Sequence, residues 1–363
     1  MKRALIWAVS ALALAATPAA TLAKDAPYKA PRTSFGQPDI GGNWSNATLT
    51  PQSRSPLYGP RAVLNAEEVK ILEGSSEEKL EKGNANSTST DVKSSDNVGA
   101  YDRGWVDNGI GVMRVNGEPR TSLITTPDGQ APVRKGASPR TLPANAGSRE
   151  AGLQAARAAA NVDIFAGQGS VAAGRAGNYD NPESRGVGER CLIGFGRNGG
   201  PPMFPNGWYN NNYVFVQSPH EIAIDIEMVH DVRHISLDRK EHMPSNIRPW
   251  FGDSIGHWDG DTLVVETTNI PKVQAYFGSW EHLKITEKFT RVGKDRLRYE
   301  FKVEDPDTWD KPWGGEYEFH PLNGLVHEYA CHEGNYALEG ILAGAREEER
   351  QAKSGEGKPV AQK

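Results

Sequence analysis

Residues 282–303 read HLKITEKFTRVGKDRLRYEFKV, and this stretch decides the fold. Apolar and polar side chains alternate on both sides of residues 292–295, which is the pattern of a β-strand with one buried face. Two such strands joined by a short turn that contains glycine predict an antiparallel hairpin.

Further runs of the same texture predict that this hairpin belongs to a larger sheet. They are residues 213–217, 221–229, 233–237, 262–268, 316–320 and 326–330. Short strands at this spacing form an antiparallel meander, which closes most naturally into a barrel. We therefore predict a mainly β fold, an antiparallel lipocalin-like barrel or a curved sheet. The Gly-x-Trp motif at residues 42–44 stands where such a barrel would begin.

Helix signals lie outside the sheet. Asn65 and Glu68 form a capping box at the start of a helix within residues 60–82. A second helix is expected near residues 149–160, and a third at the C-terminus over residues 337–353.

The chain is predicted to hold one β-rich domain, with long excursions in its N-terminal half. The expected segments are a signal peptide (1–23), an extended lead-in (24–41), the domain itself (42–353) with loop insertions at 83–100 and 130–190, and a disordered tail (354–363).

The N-terminus has the pattern of a secretory signal. Residues 1–23 read MKRALIWAVSALALAATPAATLA, with two early cations, an apolar stretch and small residues up to Ala23. The apolar stretch is too short for a membrane anchor, so we predict a cleaved signal and a periplasmic or secreted protein. The net charge of −5 argues against a nucleic-acid partner.

The chain has two cysteines, Cys191 and Cys331. In an oxidising compartment the default expectation is a disulfide, which would close a loop of about 140 residues and stabilise the fold by ~4–5 kcal/mol. The alternative is a metal site made from cysteine and histidine, because His332 follows Cys331 directly.

The densest group of polar side chains lies between residues 227 and 266. Within it, His242, Arg248 and Asp253 bring an imidazole, a cation and a carboxylate to a stretch that is predicted to be a loop. In the functional interpretation His242 is a general base, Asp253 orients it, and Arg248 binds an anionic or carbonyl group. In the structural alternative the loop packs on a barrel end and Arg248–Asp253 is an ion pair.

Aromatic and imidazole side chains near these two clusters are the candidate substrate contacts, because such rings stack on sugars and on other rings. The candidates are Trp250, His257, Trp258, Tyr329 and Tyr336.

The second cluster is the stretch YACHEGNY at residues 329–336. A bridge between Cys191 and Cys331 would hold His332 and Glu333 rigidly, so His332 is an alternative base with Glu333 as its partner. The structural alternative is a connection between a strand and a helix, with Glu333 near the helix start.

A metal site is possible but is not favoured. His230 and His234 have the spacing of two ligands on one helix face, yet the flanking residues predict a strand, where they would stand ~13 Å apart. A transition metal held across strands stays open as an alternative, and no cofactor is favoured. The glycine patterns of serine hydrolases, P-loops and dinucleotide folds are missing.

Several long motifs resemble a family of secreted hypothetical proteins that is abundant in sphingomonads and acidobacteria. They are PDIGGNW (38–44), RTSLITTPDGQAP (120–132), ERCL (189–192), HDVRHISLDRKEHMPSNIRPWFGDSIGHWDGDTLVVETTNI (230–270) and EYACHEGNYALEGILAGAR (328–346). The resemblance spans most of residues 38–346 and implies secretion, but it brings no activity.

The residues favour a cofactor-free acid–base enzyme, a lyase, dehydratase or hydrolase, which acts on a small organic or saccharide substrate in a barrel pocket. The first alternative is a metal-dependent enzyme that uses the clustered histidines. The second is a lipocalin-like protein that binds a small molecule without chemistry.

Overall fold

The computed structural model describes residues 28–87, 109–160, 179, 181–194, 197–205 and 209–354. The predicted signal peptide, residues 88–100 of the first predicted loop insertion, most of residues 161–180 in the second and the last nine residues lie outside this part of the chain. No helix within the described ranges is both long enough and apolar enough to cross a membrane.

Strands dominate the described chain. They are β1 (Gly42–Ser45), β2 (Arg114–Val115), β3 (Glu118–Pro119), β4 (Asn212–Gln217), β5 (Glu221–Ile226), β6 (Asp231–Ser236), β7 (Asp253–Asp259), β8 (Thr262–Thr268), β9 (Lys284–Gly293), β10 (Arg296–Glu304) and β11 (Trp313–Pro321). The helices are α1 (Ala66–Ser87), α2 (Arg149–Ala160) and α3 (Tyr336–Ser354).

Nine strands form one closed barrel in the order β1-β11-β10-β9-β8-β7-β6-β5-β4, and β2 with β3 makes a small separate hairpin. The predictions of a mainly β barrel and of a C-terminal helix are therefore confirmed. The predicted hairpin is β9 with β10, in which Phe289 lies opposite Tyr299. Their rings are both fully buried because every second side chain of each strand faces the interior.

The prediction of a purely antiparallel meander is wrong at one seam, since β6 and β7 run parallel. Strand β7 was not predicted, because its glycine and aspartates are typical of turns. It forms because it pairs with β8 along its full length.

The prediction of a strand over residues 326–330 is also wrong, as these residues have no regular structure. The reason is topological. Strand β1 already pairs with both β11 and β4, so the closed barrel leaves no edge for another strand to join.

The parallel seam requires a long connection, because the chain leaves β6 at one end of the barrel and must enter β7 from the other. Residues 237–252 make this return, and we call them the crossover. Their contacts with outward-facing side chains of β7 and β8 show that the crossover runs over the outer face of the barrel.

The barrel interior is filled by packed side chains. Aromatic rings dominate it, and Tyr299 alone lies within about 6 Å of four neighbouring rings. Among these rings lies a fully buried ion pair between Arg233 of β6 and Glu287 of β9, which is also bonded to Tyr299 and Thr267.

Helix α1 begins at the predicted capping box, in which the Asn65 side chain accepts from the Glu68 amide and Glu68 accepts from the Asn65 amide. It ends at Ser87, five residues into the predicted 83–100 loop. No proline interrupts this stretch, so the helix continues through its polar residues. Helix α2 covers its predicted range and packs against α1.

Candidate functional site

Asp253, the first residue of β7, is the inner end of the candidate site. Its carboxylate accepts hydrogen bonds from Arg239 at 2.5 and 3.2 Å and from the backbone amide of Met243 at 2.8 Å. The Nδ1 atom of His242 lies 2.9 Å from Asp253 Oδ2. The side chain of Asp253 is 2% exposed, because the crossover covers it.

The other ring nitrogen of His242 faces a second carboxylate. Its Nε2 lies 3.2 Å from Oε1 of Glu266 on β8, and the other oxygen of Glu266 pairs with Lys284 at the start of β9. Exposure rises along this row, from 2% at Asp253 through 19% at His242 to 37% at Glu266. We call Asp253, His242, Glu266 and Lys284 the relay.

Strand alternation places the relay on the outside of the barrel wall. Ser254 and Glu287 face the interior, where both bond to Arg233. Their chain neighbours and the residues aligned with them across the strands therefore point outward. The candidate site is a surface site under the crossover, and its residues do not line the barrel interior.

Both carboxylates of the relay are held in the ionised form. Burial alone would raise the pKa of Asp253, but hydrogen bonds from Arg239, the Met243 amide and His242 lower it below its ordinary value. Burial likewise opposes ionisation of Glu266, and Lys284 and His242 together lower its pKa. An ionised carboxylate only accepts hydrogen bonds, so each ring nitrogen of His242 faces an acceptor.

The crossover is fixed in place by its backbone. The side-chain amide of Asn269 donates to the carbonyl oxygens of Met243 at 2.9 Å and Pro244 at 3.3 Å. His242 therefore sits on a loop whose next two residues are clamped to the end of β8, which limits its movement.

Arg248 was predicted to join this group, and the structure places it elsewhere. Its guanidinium donates to the carbonyl oxygens of Ile270 at 2.8 Å and Glu281 at 3.2 Å, and it lies 4.9 Å from the Trp280 ring. The alternative of an Arg248–Asp253 ion pair is wrong, because Arg239 occupies Asp253. Arg248 fastens the crossover to the segment before β9.

Sequence reasoning missed Arg239, Glu266 and Lys284. A signal for Glu266 and Lys284 was present, because both belong to the polar face of runs that were predicted as strands. Arg239 had no such signal, since three consecutive charged residues at positions 239–241 look like a solvated turn.

The predicted substrate contacts do not converge on the relay. His257 is exposed on the outer face of β7, while Trp258 next to it faces the other side of the wall. Trp250 is partly buried against the barrel core, and Tyr329 stacks on Tyr209 with ring centres 5.9 Å apart. Tyr336 is 79% exposed at the start of α3.

The second predicted cluster is a separate part of the surface. Cys191 and Cys331 form the predicted disulfide. His332 and Glu333 beside it are exposed, and no hydrogen bond or ion pair within the described chain joins them to the relay. Asn335, two residues after Glu333, caps α3 by accepting from the Leu338 amide.

A strained turn before β6 was also missed. Val229 and His230 both have positive φ, 62° and 44°, which is rare for residues other than glycine. Asp231 follows, and burial raises its pKa to about 6, although the nearby His230 opposes this shift. Such a carboxyl changes charge near neutral pH.

The described residues contain no group of three or more His, Cys, Asp or Glu side chains arranged to hold a metal ion. His230 and His234 do not share a partner. His234 on β6 contacts Glu221, and His230 in the turn before β6 contacts the carbonyl oxygen of Tyr329.

Comparison with known proteins gives no match to a family model, to a curated protein or to a solved structure.

Proposed function

We propose that this protein is a secreted acid–base enzyme, a hydrolase or lyase for a small organic or saccharide substrate, with His242 as its proton-transfer residue. The observation that supports the proposal is the contact of Asp253 with Nδ1 of His242, which fixes the ring and leaves Nε2 facing the half-exposed Glu266. An imidazole that is oriented by a buried carboxylate is the usual form of a histidine acid–base catalyst.

In the first step of the proposed mechanism His242 acts as a general acid and donates a proton from Nε2, the nitrogen that faces Glu266. A substrate oxygen replaces Glu266 at Nε2 and takes this proton as its bond to carbon breaks. The imidazole is then neutral, with Nδ1–H still donated to Asp253.

The second step restores the enzyme. In a hydrolase, water gives its hydroxide to the electrophilic carbon and its proton to the bare Nε2. In a lyase, Nε2 takes the proton from the carbon next to the departing group. In both cases His242 is protonated on Nε2 again, and Glu266 restores its contact with this nitrogen.

Because the relay is on the outer wall, we place the substrate between the crossover and β8 rather than in a barrel pocket. Met243 and Ile247 of the crossover are exposed by 37% and 47% and provide an apolar edge for it. This placement suits a small substrate with one apolar side, since larger rings would need a deeper cleft.

The test is a hydrolysis and elimination screen of the purified protein with chromogenic esters, glycosides and uronides, followed by His242→Gln on any active substrate. We expect His242→Gln to lower kcat by about 10²–10⁴. Circular dichroism and the melting temperature establish that the variant is folded.

His234→Gln is the matched control. His234 is also an outward-facing histidine paired with a carboxylate, Glu221, but it is 67% exposed and has no second acid partner among the residues that the structure describes. Its kcat should stay within twofold of the wild type. Wild-type turnover by folded His242→Gln would refute the assignment.

The lipocalin-like binding protein is the second candidate. It is supported by Asn46 and Asn198, whose amide oxygens are buried at the barrel wall and have no hydrogen-bond partner within the described chain. It ranks second because aromatic side chains already fill the interior. A ligand that raises the melting temperature equally in wild type and His242→Gln, without turnover, would favour it.

The metal-dependent enzyme is the weakest of the three proposals. Both ring nitrogens of His242 already contact carboxylates, so it could bind a metal only after breaking one of these contacts.

A further inference from the structure

A surface cleft of about 410 Å³ lies apart from the relay. Three segments enclose it: residues 134–137, the tight turn at residues 276–279 and the turn that follows β10 at residues 305–308. Its lining residues are Arg134, Lys135, Gly136, Ala137, Gly278, Asp307 and Thr308.

Arg134 is a cation without a carboxylate partner in the described chain. It donates one hydrogen bond, from Nη1 to the carbonyl oxygen of Phe277 at 3.1 Å. This contact depends on Gly278, since a Cβ there would come within 2.8 Å of the same nitrogen. The turn thus makes room for the guanidinium at the wall of the cleft.

Lys135 adds a second positive charge. Its ammonium group donates to the carbonyl oxygen of Pro306 and lies 3.6 Å from Asp310. That carboxylate is 85% exposed, so solvent screens most of this attraction.

The nearby acids are already compensated. Asp305 accepts from the hydroxyls of Ser279 and Thr308 and from the Asp307 amide. Asp307 lies 2.5 Å from Nδ1 of His282. Among the side chains that line the cleft there are two cations, Arg134 and Lys135, and one carboxylate, Asp307, which is itself paired with His282.

Phe277 is the chain neighbour of Gly278, which lines the cleft. It occupies the tip of the turn with φ 50°, a conformation that disfavours a bulky residue, and it is 44% exposed. One side of its ring packs on Tyr276 and Trp313, at 4.7 and 5.9 Å between ring centres. Glycine would adopt this conformation more easily, so the turn holds an exposed aromatic ring at a cost in backbone strain.

We propose that this cleft binds a small organic anion, a carboxylate or a phosphate monoester with a flat apolar part. Arg134 and Lys135 bind the anionic group, and Phe277 stacks on the flat part. This site is independent of the His242 relay.

The experiment is isothermal titration calorimetry of the purified mature protein with benzoate, phenyl phosphate and inorganic phosphate at low salt and pH 6. We expect saturable one-site binding of at least one aromatic anion, and the stronger of the two identifies the anionic group. Arg134→Ala should weaken it at least tenfold. Arg149→Ala, which removes an equally charged arginine paired with Glu67 far along the chain, should leave it within twofold.

Phe277→Gly tests the apolar part. It relieves the turn, so the protein stays folded, and it should bring the affinity for phenyl phosphate down to that for inorganic phosphate. If the aromatic preference survives, the role of Phe277 is refuted. If wild type binds none of the three anions, or Arg134→Ala binds as well as wild type, the site itself is refuted.

A pH series with benzoate, whose charge is constant from pH 6 to 8.5, gives a further readout. The hydrogen bond with Asp307 raises the pKa of His282. Desolvation opposes this shift, and the charges of Asp307, Glu281 and Asp305 support it. As pH rises through that pKa, Asp307 loses its compensation and should weaken binding. Asp307→Asn should flatten this dependence, and an unchanged slope would exclude Asp307.

Discussion

Two acid–base groups stand on opposite sides of the same barrel wall and differ in how they are solvated. Inside, Arg233 and Glu287 are at most 1% exposed, and their bonds to each other and to Ser254, Thr267 and Tyr299 are all buried. Outside, the relay runs from a buried Asp253 to a half-exposed Lys284. The Arg233–Glu287 pair is closed to solvent, whereas the relay ends in exposed side chains whose contacts a substrate could take over.

The difference teaches that burial alone does not identify a catalytic group. The inner pair is the more deeply buried of the two, yet it offers no atom to a ligand. The proposed proton transfer needs a buried carboxylate for orientation and a partner that can leave, and of these two groups the relay combines them.

The largest expected effect comes from opening the inner pair. Arg233→Met leaves the Glu287 carboxylate buried and unpaired, which should lower the free energy of unfolding by about 3–5 kcal/mol. Urea denaturation measures it. The double variant Arg233→Met/Glu287→Leu should recover part of this loss, and a double variant that is no better than the single would mean that the pair is held by more than its charges.

Asp253→Asn tests whether the outer relay also holds the crossover. We expect a loss of about 1–3 kcal/mol at pH 7, because Arg239, His242 and the Met243 amide lose an ionised acceptor. The pKa of Asp253 is depressed, so its contribution is present above the ordinary value near 4 and disappears as pH falls through the folded value. Unfolding measured from pH 7 to 3 should show that wild type and variant converge in acid. Parallel curves would contradict this.

Asp231 belongs to neither arrangement: it is partly buried, and no cation in the described part of the chain bonds to it. Because its pKa is raised to about 6, the folded protein binds this proton more tightly than the unfolded chain. The tighter binding of this proton adds to the free energy of unfolding fully below pH 4, and this contribution is lost as pH rises through 6. Asp231→Asn should therefore be about 1–2 kcal/mol more stable than wild type at pH 7.5 and equal to it at pH 4. A destabilised variant at pH 7.5 would indicate a missing partner.

The smallest effect is expected at the exposed end of the relay. Lys284→Met removes an exposed ion pair and should change the free energy of unfolding by less than about 1 kcal/mol. It should also raise the pKa of Glu266, because Lys284 is the main group that lowers it. NMR titration of the Glu266 carboxyl reads this directly, and an unmoved pKa would mean that His242 alone sets it.

Much of the fold follows from the sequence. Period-two alternation located most strands within a few residues, and Asn65 with Glu68 marked the start of α1. The parallel seam could not be predicted, because no local pattern distinguishes a crossover from a surface loop. Contacts distant in sequence decide it, since β7 forms by pairing with β8 on one side and β6 on the other.

The candidate site followed less completely. His242 and Asp253 were singled out because an imidazole and a carboxylate shared one short polar stretch. The sequence did not indicate their partners Arg239 and Glu266. The crossover brings Arg239 to Asp253, and Glu266 lies opposite Ile255 in a strand register that the sequence does not reveal. In the sequence Arg248 looks like a ligand-binding residue, because it is a cation in a polar loop. Its hydrogen bonds to the carbonyl oxygens of Ile270 and Glu281 show that it holds the crossover in place.

The number of strands has a consequence for the candidate site. In a closed ring, up and down directions alternate without conflict only if the number of members is even. This barrel has nine, so at least one seam must join two strands that run the same way. The conflict is resolved between β6 and β7, and the chain that bridges that seam is the one that carries His242. Parity thus requires a parallel seam. Because that seam falls between two consecutive strands, the chain needs a return segment, and this segment brings the histidine to Asp253.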